Sequence, residues 1–266
     1  QGLDKAAAAS VNAGAGDDTI RSGYRNGLDA GPGTDHCGLG MDVAGTNCET
    51  VELICGSGGE PLPPVLFLPN LSSELGDFDG NGTNDTLLVW GSGGIWWAQI
   101  QTDGAYGARL ALSVVGSARA IGGYDVNGDG VDEAFIKVGS GAHAEIVGLY
   151  TLYEPVGSPA TGLSCGMKPI TFNGVPAEAQ FAVGASLAYQ SGLGCQANGT
   201  LREYQQETTD GVHYTQQRYD YDYTPGFGDF SPTLGSPAWS MIPLTSPADD
   251  AAIARASDLT CGSLSL

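Results

Sequence analysis

Residues Asp77 to Trp90 read DFDGNGTNDTLLVW, and the same plan returns 48 positions later, from Asp125 to Val138, as DVNGDGVDEAFIKV. Each copy sets acidic or amide side chains on alternate residues, then a glycine, then an apolar run. In the first copy Asp77, Asp79 and Asn81 stand at positions 1, 3 and 5, Gly82 at 6 and Asp85 at 9. In the second these are Asp125, Asn127, Asp129, Gly130 and Glu133. Such a repeat requires one supersecondary unit built twice: an acidic loop at the lip of a buried strand. An apolar run of this length with β-branched residues and glycine neighbours predicts a strand rather than a helix.

The loop pattern has its own chemistry. Calcium takes six to eight hard oxygen ligands, and alternate residues of a tight loop can converge on one ion. Glycine at position 6 permits a turn that a side chain would obstruct. Thr83 and Val131, at position 7, offer backbone carbonyls. Leu88 and Ile136 stand at position 12, where a helix–loop–helix calcium hand carries glutamate. The bland alternative is an Asp/Asn-Gly turn with solvated carboxylates; two copies of one five-position pattern favour a metal.

Asp-x-Asp-Gly-Asn-Gly-x-x-Asp before an apolar strand resembles the FG-GAP, or VCBS-type, repeat over 76–90 and 124–138, and more loosely over 62–155. The resemblance implies β-propeller blades with calcium held between two strands. Cys195 to Gln205, CQANGTLREYQ, keeps an Asn-Gly-Thr echo without the carboxylates, so a third blade there is expected to bind no metal. At 48 residues per repeat, 62–266 has room for about four blades. A four-bladed ring, an open partial propeller and a sandwich of blade-like sheets all remain open.

Residues 1–58 differ in texture, and GSGGEPLPP (56–64) is a linker by composition. AGAGDDTIR (13–21) places Asp18 and Ile20, AGPGTDHCG (30–38) places Asp35 and Cys37, and GLGMDVA (38–44) is a degraded third copy with Asp42. These nonapeptides resemble the RTX, or hemolysin-type, repeat, and the run through CETV (48–51) is similar to a degenerate form found in secreted actinobacterial proteins. The resemblance implies a short parallel β-roll with calcium between glycine-rich turns, ligated here by Asp18 and Asp35. Two or three turns are too few to bury a core alone. The segment is therefore expected to lean on the domain at 62–266 or on another chain.

Composition sets the setting. With 10 basic and 30 acidic residues the net charge is −20, which disfavours nucleic acid and anionic membranes as partners. No run of 18 apolar residues exists for a membrane span. Six cysteines without a CxxC pair predict three disulfides and an oxidising compartment. The expected pairs are Cys37–Cys48, Cys165–Cys195 and Cys55–Cys261, out of fifteen pairings. If the chain is secreted, its signal is expected to have been removed before Gln1. Forty-two glycines among short apolar runs predict many short strands. One helix is expected near 247–256, capped by Ser246, with Pro247 in its first turn and Asp249 and Asp250 at its positive end. IWWAQIQTDGAYGARLALSVV reads as a hairpin about Asp103–Gly104.

No HExxH, GxSxG, phosphate loop or dinucleotide glycine motif is present, and His36, His143 and His213 stand apart. The expectation is an all-β, non-enzymatic, secreted or cell-surface protein that uses Ca2+ structurally. It would be an adhesive or structural module, with further copies of itself in an assembly or filament as candidate partner. The alternatives are a calcium-dependent carbohydrate-binding module, with a cell-surface glycan as ligand on Trp90/Trp96/Trp97 or Tyr219/Tyr221/Tyr223, and a hydrolase with an unrecognised site.

Overall fold

A computed structural model describes residues 11–12, 14–16, 19–22, 28–29, 31–34, 36–39, 45–46, 50–53, 68–102, 105–107, 109–153, 166–172, 177–186, 188–196, 199–210, 213–224, 233–235, 237–244 and 250–266. The described chain is all-β apart from one short helix. None of its helices is long and apolar enough to cross a membrane.

Six short strands open it: β1 (Val11–Asn12), β2 (Thr19–Ser22), β3 (Leu28–Asp29), β4 (His36–Leu39), β5 (Gly45–Thr46) and β6 (Thr50–Leu53). They form two parallel ladders, β1–β3–β5 and β2–β4–β6, so the chain visits the two sheets alternately through three turns of a coil. Ile20, Cys37 and Val51 fall in one register column. Among the described residues, these strands pair only with one another.

The next sheet is an antiparallel meander of β7 (Ser72–Gly76), β8 (Asp85–Ser92) and β9 (Ile95–Thr102), with β10 (Ala105–Tyr106) and β11 (Leu110–Leu112) both on β9. Ala105 pairs with Thr102, so a two-residue connection closes the expected hairpin. The plan then repeats in β12 (Arg119–Tyr124), β13 (Glu133–Ser140), β14 (Ala144–Tyr153) and β15 (Gly166–Pro169). Strands β8 and β13 are offset by 48 residues at both ends.

Thereafter the pattern changes. After β16 (Thr171–Phe172) come β17 (Gln180–Ala185), β18 (Tyr189–Cys195), β19 (Thr200–Thr208), β20 (Tyr214–Thr224), β21 (Thr233–Leu234), β22 (Ala238–Leu244), α1 (Asp250–Arg255) and β23 (Leu259–Thr260). Strands β17 to β20 continue the β12–β14 sheet, because β17 pairs with β14 along Ala144–Gly148 while β15 takes Tyr150–Tyr153. The described part of 72–266 holds two sheets rather than four separate blades: the first is antiparallel, and the second has twelve strands, antiparallel but for the pairs β16–β21 and β18–β23. Of the Asn-Gly-Thr echo, Gly199 directly precedes β19 and Thr200 is its first residue, while Asn198 lies outside the described residues.

Strand β13 is buried on both faces, which explains its continuous apolar run. Ala134, Ile136 and Val138 meet Leu87, Val89, Ala98 and Ile100 of the first sheet. Phe135 points the other way, into a core with Phe181, Val183, Leu193, Leu201 and Tyr221. The two repeats therefore pack face to face, and the long sheet curls so that its later strands cover the far side of its earlier ones.

Two expectations are corrected here. Cys195 is bonded to Cys261, not to Cys165, so the pairs Cys165–Cys195 and Cys55–Cys261 are both wrong. The parallel ladder between β18 and β23 brings these two cysteines together, a contact made only by tertiary folding. Cys48, Cys55 and Cys165 lie outside the described residues, and with them the pair Cys37–Cys48. The described part of the helix, Asp250–Arg255, lies within the expected 247–256; residues 247–249 and the expected cap at Ser246 are outside the described residues. What fastens the helix is a ladder of amides in register across β18, β19 and β20, Gln190, Gln206 and Gln216, the last two buried. Gln206 donates to Gln190 and to the Ile253 carbonyl, and Gln216 donates to Gln206 and to the Ala252 carbonyl.

Candidate metal centre

The first loop joins β7 to β8. Its second residue, Phe78, is fully buried between the sheets and anchors the loop in the core. Gly80 and Gly82, at positions 4 and 6, take φ of 76° and 82°, and Gly128 and Gly130 repeat this at 79° and 87°. These left-handed values favour glycine, and they fold each loop back so that alternate side chains converge.

Asp77, Asp79 and Asp85 each bring a carboxylate oxygen within 4.8 Å of the others. Two oxygens each about 2.4 Å from one calcium-sized ion lie at most about 4.8 Å apart, so the trio has the span of a shared cation. Asp85 Oδ2 accepts the N–H groups of Phe78 (3.0 Å) and Asp79 (3.1 Å). Asp77 Oδ2 accepts from Gly82 N–H at 2.8 Å. The remaining oxygens, Asp77 Oδ1 and Asp85 Oδ1, are buried without a hydrogen-bond partner. A buried, unpartnered carboxylate oxygen is costly. Burial first, then the charge of Asp79, pushes the Asp85 carboxyl up to about 7. A divalent cation fits this donor set and would satisfy both oxygens. Asn81 Oδ1 accepts from Thr83 N–H (2.7 Å) and Thr83 Oγ1 (2.5 Å).

The second loop, between β12 and β13, is built alike but closes on itself. Asp125 Oδ1 accepts from Gly128 N–H (2.6 Å) and Asp129 N–H (3.2 Å), and its Oδ2 from Gly130 N–H (2.9 Å). Asp129 accepts from Val131 N–H and from the Asn127 amide, each at 2.9 Å. Glu133, at 1% exposure, accepts Val126 N–H at 2.9 Å and the Tyr223 hydroxyl from β20. Burial, then the charges of Asp129 and Asp125, holds its carboxyl well above the ordinary range. Asp129 is also raised, chiefly by burial. The three acidic groups of this loop do not meet as the first trio does; among the described residues, that trio alone shows such convergence.

The loops touch. Asp77 N–H donates to Asp132 Oδ2 at 2.8 Å, and Asp132 N–H donates to the Asp77 carbonyl at 2.9 Å. Asp132 and Tyr223 were not legible as site residues. Asp132 stands at position 8, between the alternate positions that carry the pattern, and Tyr223 lies 90 residues from Glu133 in sequence.

Asp18 and Asp35 lie outside the described residues. The aromatic candidates are packed. Trp90 is 1% exposed in a cluster with Leu68, Leu88 and Trp97, while Trp96 packs on the opposite face of the sheet. Tyr221 is buried against Phe172 and Phe181, and Tyr219 and Tyr223 join that core. Comparison with family models, with curated proteins and with solved structures found no match.

Proposed function

We propose that this chain is a secreted or cell-surface calcium-binding β protein with a structural or adhesive role, a module of an extracellular assembly rather than an enzyme. One observation carries the reading: two buried carboxylate oxygens without partners, in a cluster of three carboxylates at a strand junction. Asp77, Asp79 and Asp85 would hold the ion, with Asn81 and the Thr83 carbonyl completing its shell. Asp125, Asn127, Asp129, Val131 and Glu133 would form a second, weaker site, because chain hydrogen bonds already occupy its oxygens. Calcium suits such a loop better than magnesium, which demands near-octahedral geometry and retains its waters. The Cys195–Cys261 bond accords with an oxidising compartment.

On this reading the two meanders are FG-GAP-like blades, and the parallel coil at 11–53 is an RTX-like roll. The ion neutralises charge and fastens the turn entering β8. At tenfold excess over its dissociation constant, one ion adds about 1.4 kcal/mol by mass action. Light scattering after size exclusion, in millimolar calcium and in chelator, tests the assembly role. A larger species that needs calcium supports it; a monomer of unchanged thermal stability under both conditions contradicts it.

A further inference from the structure

We infer that Asp132, carried by the second loop, is a positioning residue for the cation site of the first, so that the second repeat sets part of the first site's affinity. This rests on the first loop being a cation site, for which Asp85 is the independent sign: it is 2% exposed and its Oδ1 has no partner.

Asp77 is the first ligand of that loop and enters it directly from β7. Its Oδ2 is held by Gly82 N–H, so its unpartnered Oδ1 goes where the main chain at residue 77 points it. Both main-chain polar groups of Asp77 are bonded to Asp132, at 2.8 and 2.9 Å. This reciprocal pair crosses the joint between the two sheets, where backbones meet at Gly76 and Gly123. A Cβ on Gly123 would lie 2.7 Å from Gly76 Cα and 2.8 Å from Asp132 Oδ2. One on Gly76 would lie 2.8 Å from Gly123 Cα. The Asp132 carboxylate thus occupies a crevice that the two glycines leave open. The matching residue of the first repeat, Asn84, is exposed. Position 8 is therefore a solvent-facing turn residue in one copy and the joint in the other.

The test is calorimetric titration of the full chain with calcium alone. The binding event lost in Asp79→Asn belongs to the first loop. Asp132→Ala is expected to weaken that event about tenfold, the worth of a hydrogen bond to a charged group. Asp132→Asn keeps an acceptor oxygen and is expected to bind at least about fivefold tighter than Asp132→Ala. An Asp132→Ala affinity within about twofold of wild type overturns the inference, as does equal weakening in both variants, which would make charge alone the cause. If wild type and Asp79→Asn titrate alike, the first loop is not a cation site, and that separate failure removes the premise. A second measurement needs no variant. The Asp77 and Asp132 amides of wild type should exchange at least about fivefold more slowly in calcium than in chelator, and equal rates overturn the coupling.

Discussion

Replacing Asp85 with asparagine should stabilise the chain in chelator and lose much or all of that advantage in calcium. In the metal-free chain the Asp85 carboxyl is raised from its ordinary 3.8 to about 7, by burial and then by Asp79. Its protonated form is therefore favoured by the fold. That contribution is full below pH 3.8 and is lost as pH rises through about 7. The difference corresponds to at most about 4 kcal/mol of cost for an ionised Asp85 at pH 7.5. An asparagine keeps an oxygen for the Phe78 and Asp79 amides and carries no charge. It should recover part of that cost, about 1–3 kcal/mol, in chelator at pH 7.5. At pH 5, where wild-type Asp85 is protonated, the variant should nearly match wild type. With calcium the wild type gains about 1.4 kcal/mol at tenfold saturation, and the variant gains nothing from this site. Urea unfolding of both proteins, in chelator and in millimolar calcium at the two pH values, reads all four numbers. An Asp85→Asn chain less stable than wild type in chelator at pH 7.5 would mean that the carboxylate stabilises the fold without an ion, contrary to the cost assigned to its burial.

Cys261→Ser should lower unfolding free energy by up to about 4 kcal/mol, since the bond spans 66 residues; denaturant titration against wild type checks it. Gln216→Ala should cost about 1–3 kcal/mol by leaving the Gln206 oxygen and the Ala252 carbonyl without donors, and amide exchange should show α1 loosening first. Gly123→Ala should cost more than about 2 kcal/mol, because its Cβ collides with backbone at Gly76 and with Asp132, and calcium titration of any folded product should show weakened binding. Arg202→Ala should cost about 1 kcal/mol or less, as its bidentate pair with Asp220 is partly exposed.

The acidic loops and the strands behind them were legible because the information is local and stated twice. Asp85–Ser92 and Glu133–Ser140 fall where the repeat places them, and the all-β class follows from the same pattern with the glycine count. The sequence could not show that the two loops differ. Asp85 and Glu133 occupy one position of the repeat, yet Glu133 meets a phenol from β20 and Asp85 keeps an unpartnered oxygen. That difference comes from a long-range contact, as does the Cys195–Cys261 bond, whose partners meet through a ladder between β18 and β23. Counting blades by length failed for a related reason. Nothing local to Gln180–Ala185 says that it will pair with β14 rather than begin a new sheet. Tyr219, Tyr221 and Tyr223, offered by the sequence as a glycan face, alternate along β20 and pack into the second core.

Everything proposed for this chain stands on a calcium ion in the first loop. Crystals grown in millimolar calcium, measured for anomalous scattering, test it most directly. The expected result is a peak about 2.4 Å from oxygens of Asp77, Asp79 and Asp85, with Asp77 Oδ1 and Asp85 Oδ1 among the ligands. A loop without a peak at that calcium concentration, its carboxylates bonded to water or to the chain, would contradict it.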